Sequence, residues 1–445
     1  MADATLNAQT GTVTGQTADT LRITNSPDII VTANTISKLE LVNCPRAVVH
    51  TETIATPVSG EPAIEVTGSD DVVIHSCDLA SGISIATSDK PTIHSNTLDM
   101  SAVGDVYGIV VTDCDNPLIY DNVITGDETA SLTQIYIEGT YDLSSDVLPR
   151  ESGDATNLVV DPKTTVNLLP FKLSTLVEFG PFAGKGLVFQ TDKSANYVQG
   201  VQILNNTLSN GLEKGIEITN AARVRVVGNV VSHMIDYGIK LTNCHDVEVV
   251  GNYCTISDAI FDAGEISNGI GLFGILTNAV IKSNVCEQCG IEFSSSAYPM
   301  YDVKVLNNHV SKAGKIVVLS ANMNWIENFV IQGNTVLNGT IDVLTGVSDN
   351  SRKFARVDVL DNFVKVSTAV ANDIPIHLEV TYGKVDGNYI ITPYPTYGIR
   401  DMNNSLPTSK VVFGDNNWLN GSRTTIQRHT DSRTFYNPLN RDDHD

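Results

Sequence analysis

One eight-residue phrase recurs along the chain: apolar, any, apolar, any, small or polar, Asn, any, apolar. Val224-Arg225-Val226-Val227-Gly228-Asn229-Val230-Val231 is one instance, and Val247-Glu248-Val249-Val250-Gly251-Asn252-Tyr253-Cys254 is the next. The Asn slot is filled by Asn34, Asn96, Asn122, Asn206, Asn229, Asn252, Asn284, Asn308, Asn334, Asn362, Asn388 and Asn417, with Glu52 and Cys77 standing in it. Two residues later the side chain is apolar each time, from Ile36 and Ile54 to Ile390 and Leu419. Most successive slots lie roughly 18 to 32 residues apart, a period that marks a solenoid.

Within each repeat the apolar residues alternate with a period of two, as pleated strands require, so helix is not expected. A second strand precedes most Asn phrases, as in Leu39-Glu40-Leu41, Ile83-Ser84-Ile85, Ile216-Glu217-Ile218 and Ile291-Glu292-Phe293. A turn of fixed order follows it, as in Thr24-Asn25-Ser26 and Thr242-Asn243-Cys244. Asn and Gly tolerate left-handed backbone, so this turn bends in one step. A rung of short strands cannot bury its own apolar face, but stacked rungs bury one another's. The pattern predicts an all-β chain, a single-stranded parallel β-helix of about fourteen or more rungs from about residue 21 to 420. At ~4.8 Å per rung it would rise roughly 65 Å, each buried column residue contributing ~1.5–3 kcal/mol before entropy. Asn side chains in the slot are expected to hydrogen-bond the neighbouring rungs. Residues 1–20 and 421–445 read as terminal arms.

The ladder is silent for 84 residues between Asn122 and Asn206. Fragments such as Ile135-Tyr136-Ile137, Leu187-Val188-Phe189 and Val201-Gln202-Ile203 read as rungs at either end, leaving an excursion at about 142–185. Two smaller expansions follow. Thr255 to Asn268 carries Asp258, Phe261, Asp262 and Glu265, and Ser294 to Tyr301 carries Tyr298 and Tyr301. Between them Glu292 points outward, because its strand neighbours fill the core. Acids and rings around one face suit a saccharide: Glu292 as acid, Asp262 or Glu265 as base or nucleophile, and Phe261, Tyr298 and Tyr301 as stacking platforms. Lys240, Tyr237 and His233 would suit elimination equally well. The slot two before the Asn also points outward. It holds His50, His75, His94 and Tyr120, then Leu204, Val227, Val250, Leu306 and Leu360. Those five apolar residues mark the expected contact between subunits.

A formal charge of −23 and a pI near 4.6 exclude nucleic acid and anionic membrane as principal partners, since both require a basic surface. The opening Met1-Ala2-Asp3-Ala4-Thr5 has neither the basic patch nor the apolar core of a secretion signal. The seven cysteines fall into the repeat. Cys44, Cys114 and Cys244 share a turn slot with Ser26, Ser69 and Ser88, and Cys254 and Cys286 sit in the apolar column as small hydrophobes. Cys286-Glu287-Gln288-Cys289 lacks the second pair of a zinc site, so neither metal, cofactor nor disulfide is expected.

With these phrases in place the chain resembles the right-handed parallel β-helix proteins: pectate-lyase-like enzymes, polysaccharide lyases and epimerases, and bacteriophage tailspikes. Short signatures of the enzymes are absent. The nearest string to the epimerase Asp-Pro-His-Glu is Asp161-Pro162-Lys163, and the polygalacturonase Asn-Thr-Asp and Gly-His-Gly and the lyase Arg-x-Pro-x-x-Arg do not occur. The resemblance to tailspikes implies a homotrimeric virion appendage, made in the host cytoplasm, that binds or degrades host surface polysaccharide and meets other virion proteins through its termini. The alternatives are a non-catalytic head decoration or fibre, and a cellular polysaccharide lyase or epimerase.

Overall fold

Each Asn phrase forms one corner of a rung in the computed structural model. Side chains and backbone are described for residues 2–58, 60–101, 107–127, 133–139, 198–258, 268–295, 300–312, 314–320, 325–344, 354–367, 374–393, 398–401, 410–414 and 417–420, except a few strand-end side chains, and the backbone alone for short strands within 150–160, 186–189 and 422–436. Apart from a helical residue at Asp258, the regular elements among them are strands. They fall into two compact units: an N-terminal unit of Met1–Asp142, Ala195–Leu241 and Gly251–Ser267, and a C-terminal unit of Leu143–Ser194, Thr242–Val250 and Asn268–Asp445.

In the N-terminal unit the rungs stack in parallel register. Leu39, Ile64, Ile83, Ile109, Ile135 and Ile216 are aligned in one core column, and Ile54, Leu79, Leu98, Ile124, Leu208 and Val231 in another. All are buried. In the C-terminal unit Ile291, Ile316, Ile341, Ile376 and Ile399 repeat the first column. Cys286, Val310, Val336, Val364 and Ile390 repeat the second.

The Asn side chains form a buried ladder. In the N-terminal unit Asn206 Nδ2 donates to Asn229 Oδ1 at 3.0 Å, and Asn229 Nδ2 to Asn252 Oδ1 at 2.9 Å. Each also donates to the strand carbonyl of the preceding rung, as Asn229 does to Ile203 at 3.0 Å. The same bonds join Asn308, Asn334, Asn362 and Asn388 in the C-terminal unit. The ladder crosses the long sequence gap directly, for Asn122 Nδ2 reaches Asn206 Oδ1 at 3.0 Å. Left-handed backbone occurs at the expected turn, Asn25, Asn43, Asn220 and Asn243. It occurs also just before the Asn slot, at Ala33, Thr51, Ser76, Gly228 and Gly333, which is why that slot is small or polar.

Three readings need correction. Residues 1–20 are not an arm: Ala4–Asn7 pairs with Leu21–Thr24, and Thr12–Val13 with Ile30–Val31. Residues 421–445 likewise supply strands, Ile426–Arg428 alongside Ile399–Asp401 and Phe435–Tyr436 alongside Val412–Phe413. Leu187–Phe189 does not rejoin the rungs. Gly186–Phe189 pairs with Asn157–Val160, which pairs antiparallel with Arg150–Glu151. Ile135–Ile137 and Gln202–Leu204 do lie in rungs.

Candidate functional site

The middle residue of each Ile-x-apolar strand must face outward when its neighbours are core. In the C-terminal unit this register aligns Gly271, Glu292, Val317, Asp342, His377 and Arg400 in one column. Glu292 is half-buried and accepts a hydrogen bond from Asn268 Nδ2. Burial holds its carboxyl above the usual range, because the ionised form loses hydration. Asp342, two rungs on, accepts from Thr340 Oγ1 at 2.9 Å and faces Lys315 Nζ at 3.4 Å. Two rungs separate the backbones of Glu292 and Asp342 by ~9.6 Å, with the apolar Val317 as floor between them. His377 comes next, half-buried, its Nε2 enclosed without a protein partner. Burial holds it below its ordinary value, against the pull of Asp342 and Glu379.

The structure brings Glu292 to this column but not Tyr301. Tyr301 lies on the strand Met300–Leu306, between Thr277 and Glu327 in register, half-buried. Phe261, Asp262, Glu265 and Tyr298 lie outside the described residues. Asp342 and His377 escaped the sequence reading, although Ile341-Asp342-Val343 and Ile376-His377-Leu378 continue the triplets that placed Glu292.

The N-terminal unit holds two ammonium-centred clusters on the corresponding face. Lys38 Nζ lies 3.0, 3.1 and 2.7 Å from Glu40, Glu61 and Glu65. Burial disfavours its charge, but the three carboxylates outweigh burial and raise its pKa. Lys214 Nζ touches Glu213, Glu217 and Asp236 at 2.9, 3.6 and 3.7 Å. Lys240 is held by Glu217 at 3.2 Å and lies over Tyr237, whereas His233 sits exposed on the strand Val230–Met234 of the other sheet. The trio suited to elimination is therefore divided between sheets, with its lysine engaged in an ion pair. Leu204, Val227, Val250, Leu306 and Leu360 are half-buried rather than fully exposed, since each is covered partly by its own column. Among the described residues no three His, Cys, Asp or Glu side chains are grouped to hold a metal ion, and the seven cysteines are buried and form no disulfide.

Residues 186–364 match the family model described as the right handed beta helix region, and the chain is a right-handed parallel β-helix. No curated protein sequence matches it. Solved structures to which it is similar include PfbA, a surface protein and adhesin of Streptococcus pneumoniae, at 12% identity and TM-score 0.33, covering 93% of this chain and 92% of that one. The A-module of the Azotobacter vinelandii mannuronan C-5 epimerase AlgE4 follows at 10% and 0.31, covering 94% and 90%. The Dettilon tailspike protein is similar at 15% and 0.21, covering 95% of this chain and 61% of that one.

Proposed function

We propose that the outward column of the C-terminal unit binds an extended saccharide chain and hydrolyses it, as part of a tailspike-like virion appendage directed at host surface polysaccharide. The observation that carries this reading is a half-buried carboxyl, Glu292, held toward its protonated form by burial, with a second carboxylate two rungs away. Inverting hydrolysis uses two carboxyls roughly 6.5–9.5 Å apart, and the ~9.6 Å backbone step leaves that range to the side chains. Glu292 gives its proton to the glycosidic oxygen as the bond to the anomeric carbon breaks. Water on the opposite face attacks that carbon and loses a proton to Asp342. His377 is the next side chain along the same column. Assembly as a homotrimer through Leu204, Val227, Val250, Leu306 and Leu360 belongs to the same reading.

The test is incubation with a panel of bacterial capsular and O-antigen polysaccharides, reading reducing ends together with the absorbance of unsaturated products. Reducing ends without unsaturation are expected, lost in Glu292→Gln and Asp342→Asn while melting temperature and glycan binding persist. Unsaturated products, or cleavage surviving in Glu292→Gln, would refute the assignment. Binding without any cleavage would favour the non-catalytic fibre instead.

A further inference from the structure

On the outward face of the N-terminal unit, His50, His75 and His94 occupy one register position on consecutive rungs, followed by Tyr120. Their rings stack with centroids 5.4, 5.0 and 4.6 Å apart and planes within 13°, 3° and 9°. Each imidazole Nδ1 shares a hydrogen bond with the hydroxyl of the residue that follows it: Thr51 at 2.8 Å, Ser76 at 3.1 Å and Ser95 at 3.1 Å. Those bonds hold the rings in their stack. No hydrogen bond to Nε2 is made among the described residues, and the three rings follow one another at the ~4.8 Å rung spacing.

Few charges surround this row. Glu52 lies buried in the Asn slot behind His50, Asp121 follows Tyr120, and Asp78 is exposed on the next strand. The outward residues two positions earlier on the same strands, Val48, Val73, Thr92 and Leu118, carry none, nor does Thr32, which precedes His50 in register. In a chain of net charge −23, three imidazoles in line let acidification write a row of positive charge on this face.

We infer that the histidine column is a binding strip for an anionic polysaccharide, one bearing carboxylate or sulfate groups, engaged when the imidazoles are protonated. A protonated Nε2–H is a charge-assisted donor to such oxygens. Protons on adjacent rings repel, and an anion laid along the row offsets that repulsion at every rung, so a polymer with charges a sugar apart is favoured over a single anion. Nucleic acid is disfavoured, because the acidic remainder of the surface repels its dense phosphates. Burial, with the imidazoles on either side, holds His75 below its ordinary value; burial does the same to His94, opposed by Asp121. An anion reverses that sense, so binding must take up protons.

The experiment is calorimetry on the full chain with dextran sulfate, carboxymethyl-dextran, uncharged dextran and duplex DNA, at about pH 5 and about pH 7.5, where histidine is largely charged and largely neutral. Both charged polymers are expected to bind at least tenfold more tightly at the lower pH. Heats measured in buffers of different ionisation enthalpy should show proton uptake. His75→Gln, which interrupts the row without adding charge, should lose most of the gain, while Thr17→Ala, an exposed change elsewhere in the same unit, should bind as the wild type does. The row shares no residue with the Glu292 column, so failure of the hydrolase reading would leave this result standing. Equal affinity at the two pH values, equal binding of plain dextran or duplex DNA, unchanged binding by His75→Gln, or no binding at all would each overturn the proposal.

Discussion

Replacing Asn229 with Ala should cost far more than its size suggests. Asn229 Oδ1 accepts from the Asn206 backbone N–H at 2.9 Å and from Asn206 Nδ2 at 3.0 Å. Its own Nδ2 donates to Ile203 O, Val227 O and Asn252 Oδ1 at 3.0, 3.3 and 2.9 Å. Asn206 Nδ2 keeps its bonds to Ile119 O and Leu204 O, so the group orphaned outright is the Asn206 N–H. One buried unsatisfied donor costs about 1–3 kcal/mol, and the four other lost bonds about 0.5–1.5 kcal/mol each, giving about 3–9 kcal/mol in all. Thr97→Ala, an exposed change on a strand of the same unit, should cost less than ~1 kcal/mol. Solenoids lose rungs locally, so urea unfolding should be paired with amide hydrogen exchange, in which the Asn206 amide loses protection. Asn229→Asp keeps an acceptor for Asn206 but sets a carboxylate against three oxygens, so it should be at least as damaging at neutral pH and milder in acid, where a protonated Asp can donate. An unchanged Asn206 amide, with a loss no larger than that of Thr97→Ala, would show that the ladder does not hold the rungs together.

Glu52 stands in the same ladder, and burial raises its pKa above 4.5 while the hydrogen bonds from Asn34 and the charge of His50 oppose the shift. A raised carboxyl favours the folded state most below its ordinary pKa, and that contribution is lost as pH rises through the folded value. Glu52→Gln should therefore melt higher than the wild type at neutral pH, with the gap closing below about pH 4.5; a gap that widens on acidification would refute the argument. Gly339→Ala would place a Cβ 1.7 Å from the backbone oxygen of Gly314 on the adjacent rung, so a loss of about 3 kcal/mol or more is expected, and a neutral result in chemical unfolding would show that the rungs can part there. Val227→Asp with Val250→Asp should convert the proposed trimer to monomers or aggregates, and unchanged mass in light scattering would remove that stripe from the assembly.

The rungs were legible because the Asn slot is a local phrase with a fixed period, and the structure turns that period directly into a stack. The first rung was missed for a physical reason. Gln16 takes the slot there, its backbone N–H donating to Asn34 Oδ1 at 2.9 Å, and Ala18 takes the apolar position, so neither an Asn nor a larger hydrophobe marks that rung in the sequence. Glu292 was legible from alternation alone. Asp342 and His377 obey the same alternation but flank neither of the two expansions, Thr255 to Asn268 and Ser294 to Tyr301, that carry the acids and rings. Tyr301 misled for the opposite reason: it neighbours an expansion, yet register assigns it to the strand leading into Asn308 rather than to the Glu292 column.

Within each unit, the described side-chain amides of the ladder donate toward higher residue number. Asn96 donates to Asn122, Asn122 to Asn206, and Asn206 to Asn229, just as Asn308 donates to Asn334 and Asn334 to Asn362. A ribosome releases the chain from its N-terminus, so every newly finished rung presents a donor whose acceptor has yet to be synthesised. Nascent rungs thus wait for their successors, and the wait is set by translation rather than by diffusion. For Asn122 the acceptor lies 84 residues downstream, which at ~5–20 residues per second is a delay of about 4 to 17 s. The junction that looks seamless in the finished stack is, in time, the longest pause in its assembly.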